Sequence, residues 1–148
     1  MVMLHFLDYK IFQISDTEQI LESLSGDGKK GILVVLLDEG LPEGIVFLKK
    51  ILSSIRVDLE KDVLLFRAAP QGILPTVAQL KSVSPIEKVL VFGVTPQRLG
   101  FTFEYPMYKR LILNDCQYVF AHKLSFLEPN KQAKNDLWKQ LQLLFANT

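Results

Sequence analysis

Beyond position 30 the apolar residues follow two alternating patterns. Ile32–Leu37 is an unbroken run of β-branched and leucine side chains, the pattern of a strand buried on both faces in a parallel sheet. Asp38-Glu39-Gly40-Leu41 interrupts it and Pro42 stands at a helix start. Ile45, Leu48, Ile51, Leu52 and Ile55 then recur at helical spacing. Residues 63–66 read as the next short strand and residues 68–72 as a loop. Val77, Leu80 and Val83 mark a short helix that Pro85 breaks, and Lys88–Phe92 is a third strand stopped by Gly93. This alternation predicts βαβ crossovers, hence a parallel sheet with helices on both sides.

The flanks are less regular. Residues 4–14 are apolar but mixed and fit either a short helix or a strand. Ser15-Asp16-Thr17-Glu18 has the spacing of a capping box. The helix it opens places Ile20, Leu21 and Leu24 on one face, with Gly26-Asp27-Gly28 as its stop. Past Gly93, Thr95-Pro96-Gln97-Arg98 can open one helical turn. Residues 101–105 and 108–113 form a hairpin or a loop with an edge strand, and residues 118–121 are a fourth core strand. Asn130 is a good N-cap for a last helix over residues 131–145. There Leu137, Leu141 and Leu144 make one stripe, flanked by Trp138 and Phe145.

Length and composition narrow the class. At 148 residues the chain is expected to be one α/β domain, residues 1–148, long enough for a substantial core. Apolar residues make up 49% and charged residues 22%, the balance of an ordinary globular protein. The longest apolar run, residues 31–37, is far too short to span a bilayer. The start lacks a basic region, so no signal peptide is expected. The single cysteine, Cys116, excludes an internal disulfide and a cysteine-based metal site, which points to a reducing cytoplasm. Residues 1–80 carry 8 Lys/Arg against 11 Asp/Glu, and residues 81–148 carry 9 against 5. That asymmetry is milder than the basic stripe of a dedicated nucleic-acid binder.

Sites in open α/β sheets lie at the carboxyl ends of the strands, here the loops 38–42, 67–72, 93–98 and 122–125. Asp38 and Glu39 are the general-base candidates, since a carboxylate there can position a water; the structural alternative is that they cap the helix begun by Pro42. His122 can stabilise a developing anion or simply pack at a strand end. No metal site is expected, because His122 has no second histidine or cysteine beside it, and no cofactor is expected. Ser125 lacks a nucleophile elbow and reads as a turn or cap residue, and nothing marks Cys116 as activated. Gly26-Asp27-Gly28-Lys29-Lys30 lacks the spacing of a phosphate-binding loop and precedes a strand instead of following one. Lys109 and Arg110, with Tyr105 and Tyr108, form a small basic and aromatic cluster able to contact single-stranded nucleic acid, although two charges carry little affinity. Trp138 reads as core or interface.

The order of these pieces resembles the uracil-DNA glycosylase-like superfamily over roughly residues 31–145. The pieces are the turn Leu37-Asp38-Glu39-Gly40-Leu41-Pro42, the strand and turn Val89-Leu-Val-Phe-Gly-Val-Thr95, and the terminal helix Asn130-Lys-Gln-Ala-Lys134-Asn-Asp-Leu-Trp138. The resemblance implies a three-layer α/β/α fold with a mainly parallel sheet of four to five strands. At the catalytic loop the chain departs from the family. Counting back from Trp138, the family's histidine falls on Lys123, its proline on Leu124 and its serine on Ser125, so His122 stands one residue early. On a strand, one residue of shift turns a side chain to the opposite face. The iron–sulphur cysteines of some members are absent, and no tailored base pocket is recognisable.

The chain is most similar to the non-catalytic branch of that superfamily, the psi subunits of bacterial DNA polymerase III. These begin with a pattern like Leu4-His-Phe-Leu7-Asp-Tyr-Lys-Ile11-Phe12 and end in an Asn…Lys…Leu-Trp helix. The resemblance implies a non-enzymatic protein–protein adaptor in DNA replication or repair, with clamp-loader or replisome subunits as partners. It also implies that residues 1–14 form a partner-docking segment bearing Leu4, Leu7, Ile11 and Phe12. Lys109, Arg110 and Lys123 are the candidate DNA contacts. Two other readings stay open. One is a divergent base-excision enzyme in which Glu39 places water and His122 stabilises the leaving base. The other is a small-ligand-binding α/β domain with a closed pocket at residues 93–98.

Overall fold

Strand β2 (Ile32–Leu37) runs through the middle of the sheet because both of its faces are apolar. Its side chains alternate between two cores: Ile32, Val34 and Leu36 enter one, and Leu33 and Val35 the other, as the two-residue period of a strand requires. The computed structural model describes residues 18–146.

A helix whose described residues are 18–23 (α1) leads into β1 (Leu24–Ser25). After β2 come α2 (Glu43–Ser54), β3 (Val63–Ala68), α3 (Val77–Val83) and β4 (Lys88–Phe92). A 3-10 turn over Pro96–Leu99 precedes β5 (Leu111–Leu113), β6 (Cys116–Ala121), the short α4 (Leu124–Leu127) and α5 (Lys131–Leu144). The chain is thus α/β, and among the described residues there is one mixed sheet of six strands in the order β1-β3-β2-β4-β6-β5. The four inner strands pair in parallel, while β1 and β5 pair antiparallel at the two edges.

The expected mainly parallel sheet of four to five strands is corrected to six, with an antiparallel strand at each edge. β1 has two residues and β5 three, too few to leave a readable period. Leu24, expected on the face of the first helix, instead pairs with Phe66 in β1. That helix stops before Gly26, at a φ of +93° and packed so closely on the strand β3 that a Cβ would lie 2.2 Å from the Val63 carbonyl oxygen. Among the alternatives for residues 101–113, the structure takes the loop with an edge strand.

Helices cover both faces. Leu48 and Leu52 of α2, Leu124 and Leu127 of α4, and Ala133, Leu137, Leu141 and Leu144 of α5 fill the first core. Val77 and Leu80 of α3, with Ile20 of α1, fill the second. Asn130 caps α5 as expected, its side chain accepting from the Ala133 N–H at 3.0 Å. Thr76 and Gln79 form a reciprocal capping box on α3, a device that satisfies two N–H groups the helix leaves unpaired. No helix of the described residues is long and apolar enough to cross a membrane.

Candidate functional site

The parallel strands deliver residues 38–42, 93–98 and 122–125 to one end of the sheet. Asp38 folds back on its own loop. Its backbone N–H donates to the Ala68 carbonyl at 2.8 Å, and its carboxylate accepts from the Gly40 N–H at 2.9 Å. Glu39 reaches across to α4. One of its oxygens accepts from the Ser125 hydroxyl and the other from the Ser125 N–H at 3.2 Å. Glu39 therefore caps α4. The expectation that the two carboxylates cap the helix begun by Pro42 is corrected, since α2 has no side-chain cap. Ser125 lies in the first turn of α4 as the recipient of this contact, in line with its reading as a turn or cap residue.

The cleft beside Glu39 is small, about 250 Å3, and is lined by Leu41, Phe47 and three carboxylates, those of Glu39, Glu43 and Glu128. Such a lining repels a phosphate backbone, because nucleic-acid affinity comes largely from cations facing phosphates.

His122 is held from the other side. The Tyr108 hydroxyl lies 2.6 Å from His122 Nδ1 and accepts from the His122 backbone N–H at 3.2 Å. The His122 ring also packs on Phe126, with centroids 4.2 Å apart. Burial pushes the Tyr108 hydroxyl above its ordinary pKa, partly offset by the hydrogen bond from His122. Glu39 and His122 therefore have separate partners, Ser125 for one and Tyr108 with Phe126 for the other.

Between them the strand ends are packed shut. Gly93 adopts a φ of +81°, and a Cβ there would lie 2.8 Å from Lys123 Cβ and 3.0 Å from Leu37 Cβ. Downstream, the Arg98 guanidinium donates to the carbonyls of Ala69 at 2.9 Å and Gly72 at 3.2 Å, tying the loop after β3 to the turn after β4.

Lys109 and Lys123 are exposed. Arg110 is instead stitched into the fold: its N–H donates to Gln140 Oε1 at 2.8 Å, and its carbonyl accepts from the Tyr105 hydroxyl at 2.9 Å. Tyr105 and Tyr108 thus spend their hydroxyls on structural bonds. Leu4, Leu7, Ile11 and Phe12 lie outside the described residues. Cys116 is buried, and burial raises its thiol above the ordinary value, the opposite of an activated nucleophile. Among the described residues no group of three or more His, Cys, Asp or Glu side chains could hold a metal. The role of Tyr108 was missed in the sequence. A left-handed φ of +59° at a non-glycine residue aims its ring, and no local pattern announces that.

No protein-family model matches this chain, and no curated protein matches it.

Proposed function

We propose that this protein is a non-enzymatic adaptor of DNA replication or repair, acting in the cytoplasm. On this reading it is built on a three-layer, uracil-DNA glycosylase-like frame and resembles the psi subunits of bacterial DNA polymerase III. The observation that carries the reading is the use of Glu39. A base-excision enzyme needs a group at this position to hold water beside an extruded base. Here both carboxylate oxygens engage Ser125 in capping α4, and the adjoining cleft is lined by carboxylates. The packing of Lys123 and Leu37 on Gly93 argues the same way, because it fills the strand ends with protein.

The adaptor surface in this reading is the segment bearing Leu4, Leu7, Ile11 and Phe12, and the partners are clamp-loader or replisome subunits. Lys109, Arg110 and Lys123 supply at most a weak DNA contact. The test is affinity capture of the tagged protein from native lysate, with mass-spectrometric identification, beside the quadruple alanine variant at those four positions. Clamp-loader or replisome subunits should be recovered with the parent and lost with the folded variant. An empty capture, or uracil excision abolished by Glu39→Ala, would overturn the reading.

A further inference from the structure

At the opposite end of the sheet, where the parallel strands begin, lies a groove of about 660 Å3. Its size falls within the range of small-molecule sites. Ile32 and Lys88, paired in register at the starts of β2 and β4, lie at its inner end. Trp138 and Phe145 of the terminal helix segment line it, together with Arg56 and Glu87.

Three features set this groove apart from the rest of the surface. Lys88 is a lysine with only 9% of its surface exposed. Its ammonium sits 4.3 Å from the Phe145 ring centroid, and among the described residues it makes no salt bridge. Arg56 lies in the left-handed region at φ +60°, where a residue other than glycine or asparagine is strained. It is pinned there, since its N–H donates to the Ser53 carbonyl at 3.0 Å and its own carbonyl accepts from Lys30 Nζ at 3.2 Å. Trp138, on a helix whose leucine stripe is buried, keeps 38% of its surface exposed.

We infer that this groove binds a nucleotide, with the base against Trp138 and the phosphate between Arg56 and Lys88. Aromatic faces stack bases without regard to sequence, and nearby cations neutralise phosphate. A peptide strand fits less well, because the backbone at the strand starts is already paired. Glu87 N–H donates to the Gly31 carbonyl at 2.7 Å, and the Glu87 carbonyl accepts from the Gln117 N–H at 2.9 Å. That leaves no edge there for strand addition. The nucleotide can be free or a unit of single-stranded DNA, since both present the same base and phosphate. The inference stands apart from the adaptor reading, which concerns residues 1–14 and the opposite end of the sheet.

Trp138 is the only tryptophan in the chain, so its fluorescence reports on this groove alone. The full-length protein is titrated at low salt with AMP, dTMP and an oligothymidylate. Saturable quenching is expected. Lys88→Met should weaken it about tenfold or more, the loss expected for one charge-assisted hydrogen bond. Arg56→Asn should act in the same direction, and asparagine tolerates the left-handed backbone, so this variant guards against misfolding of the first. Glu87→Gln should tighten binding by removing a like charge. Equal affinity for mononucleotide and oligomer assigns a free nucleotide, and a clear preference for the oligomer assigns single-stranded DNA. The inference is overturned by an absence of saturable quenching into the millimolar range. It is equally overturned by quenching that neither Lys88→Met nor Arg56→Asn alters, or by a poly-glutamate peptide that binds more tightly than any of the nucleotides.

Discussion

One hydroxyl, that of Tyr108, holds both the backbone and the ring of His122: it accepts from the N–H at 3.2 Å and lies 2.6 Å from Nδ1. The Tyr108 N–H in turn donates to the Phe120 carbonyl at 2.8 Å. The loop before β5 is thereby fastened to the end of β6. Tyr108→Phe keeps the ring and removes the hydroxyl, so two polar groups of His122 lose their partner. The expected cost is about 1 kcal/mol, at the low end because solvent can reach the half-buried site. Urea unfolding should show a lower midpoint with an unchanged slope. A variant with the parental midpoint would refute this account of the contact.

Glu39 and Ser125 are 86 positions apart in sequence, so their contact is purely tertiary. Glu39→Ala should destabilise the fold by about 1 kcal/mol, as loss of a helix cap does, and Ser125→Ala, which keeps the backbone N–H bond to Glu39 and loses only the hydroxyl bond, should cost less. The double variant should cost less than the sum, because the hydroxyl–carboxylate bond is lost in either single change. Strict additivity in the thermodynamic cycle would show that the two side chains do not act together.

Desolvation lowers the pKa of Lys88 below its ordinary 10.5, opposed by the nearby Glu87 carboxylate. Below the folded-state pKa, lysine 88 is charged in both states, and burial of that charge counts against folding. Between the folded value and 10.5 the unfolded chain binds more protons than the native one, so this contribution to stability rises with pH. Lys88→Met should therefore stabilise the protein at neutral pH, by about 1 kcal/mol or roughly 3 °C in melting temperature. The advantage over the parent should shrink as pH climbs towards and past 10.5. Thermal melts of both proteins across that range check it, and an advantage that grows with pH would contradict it.

Gly93→Ala combines a left-handed φ of +81° with a Cβ lying 2.8 Å from Lys123 Cβ. The strand ends cannot open without disturbing the β4–β6 pairing that ends just before Gly93, whose N–H donates to the Ala121 carbonyl at 2.9 Å. The expected loss is about 2 kcal/mol or more, read as a fall in the denaturant midpoint. Gly40, whose Cβ would meet nothing within 4 Å, is the control, where only the backbone penalty applies.

The sequence by itself determined the inner strands, the two long helices and the cap at Asn130. Each is written in a local code: a fully apolar run for β2, a 3.6-residue stripe for α2 and α5, and a side-chain oxygen placed three residues before an N–H. The edge strands were not legible, because two or three residues carry no period and their pairing comes from a neighbour already in place. The order of the strands was decided by the tertiary structure. So were the partners of the candidate residues. Glu39 serves a helix that begins 85 positions later, His122 is held by a tyrosine whose backbone is left-handed, and Arg56, Lys88 and Trp138 meet only when the strand starts, the end of α2 and the terminal helix are packed together. Local pattern reports what a segment buries. What its polar side chains touch depends on contacts across the chain, which no window of sequence contains.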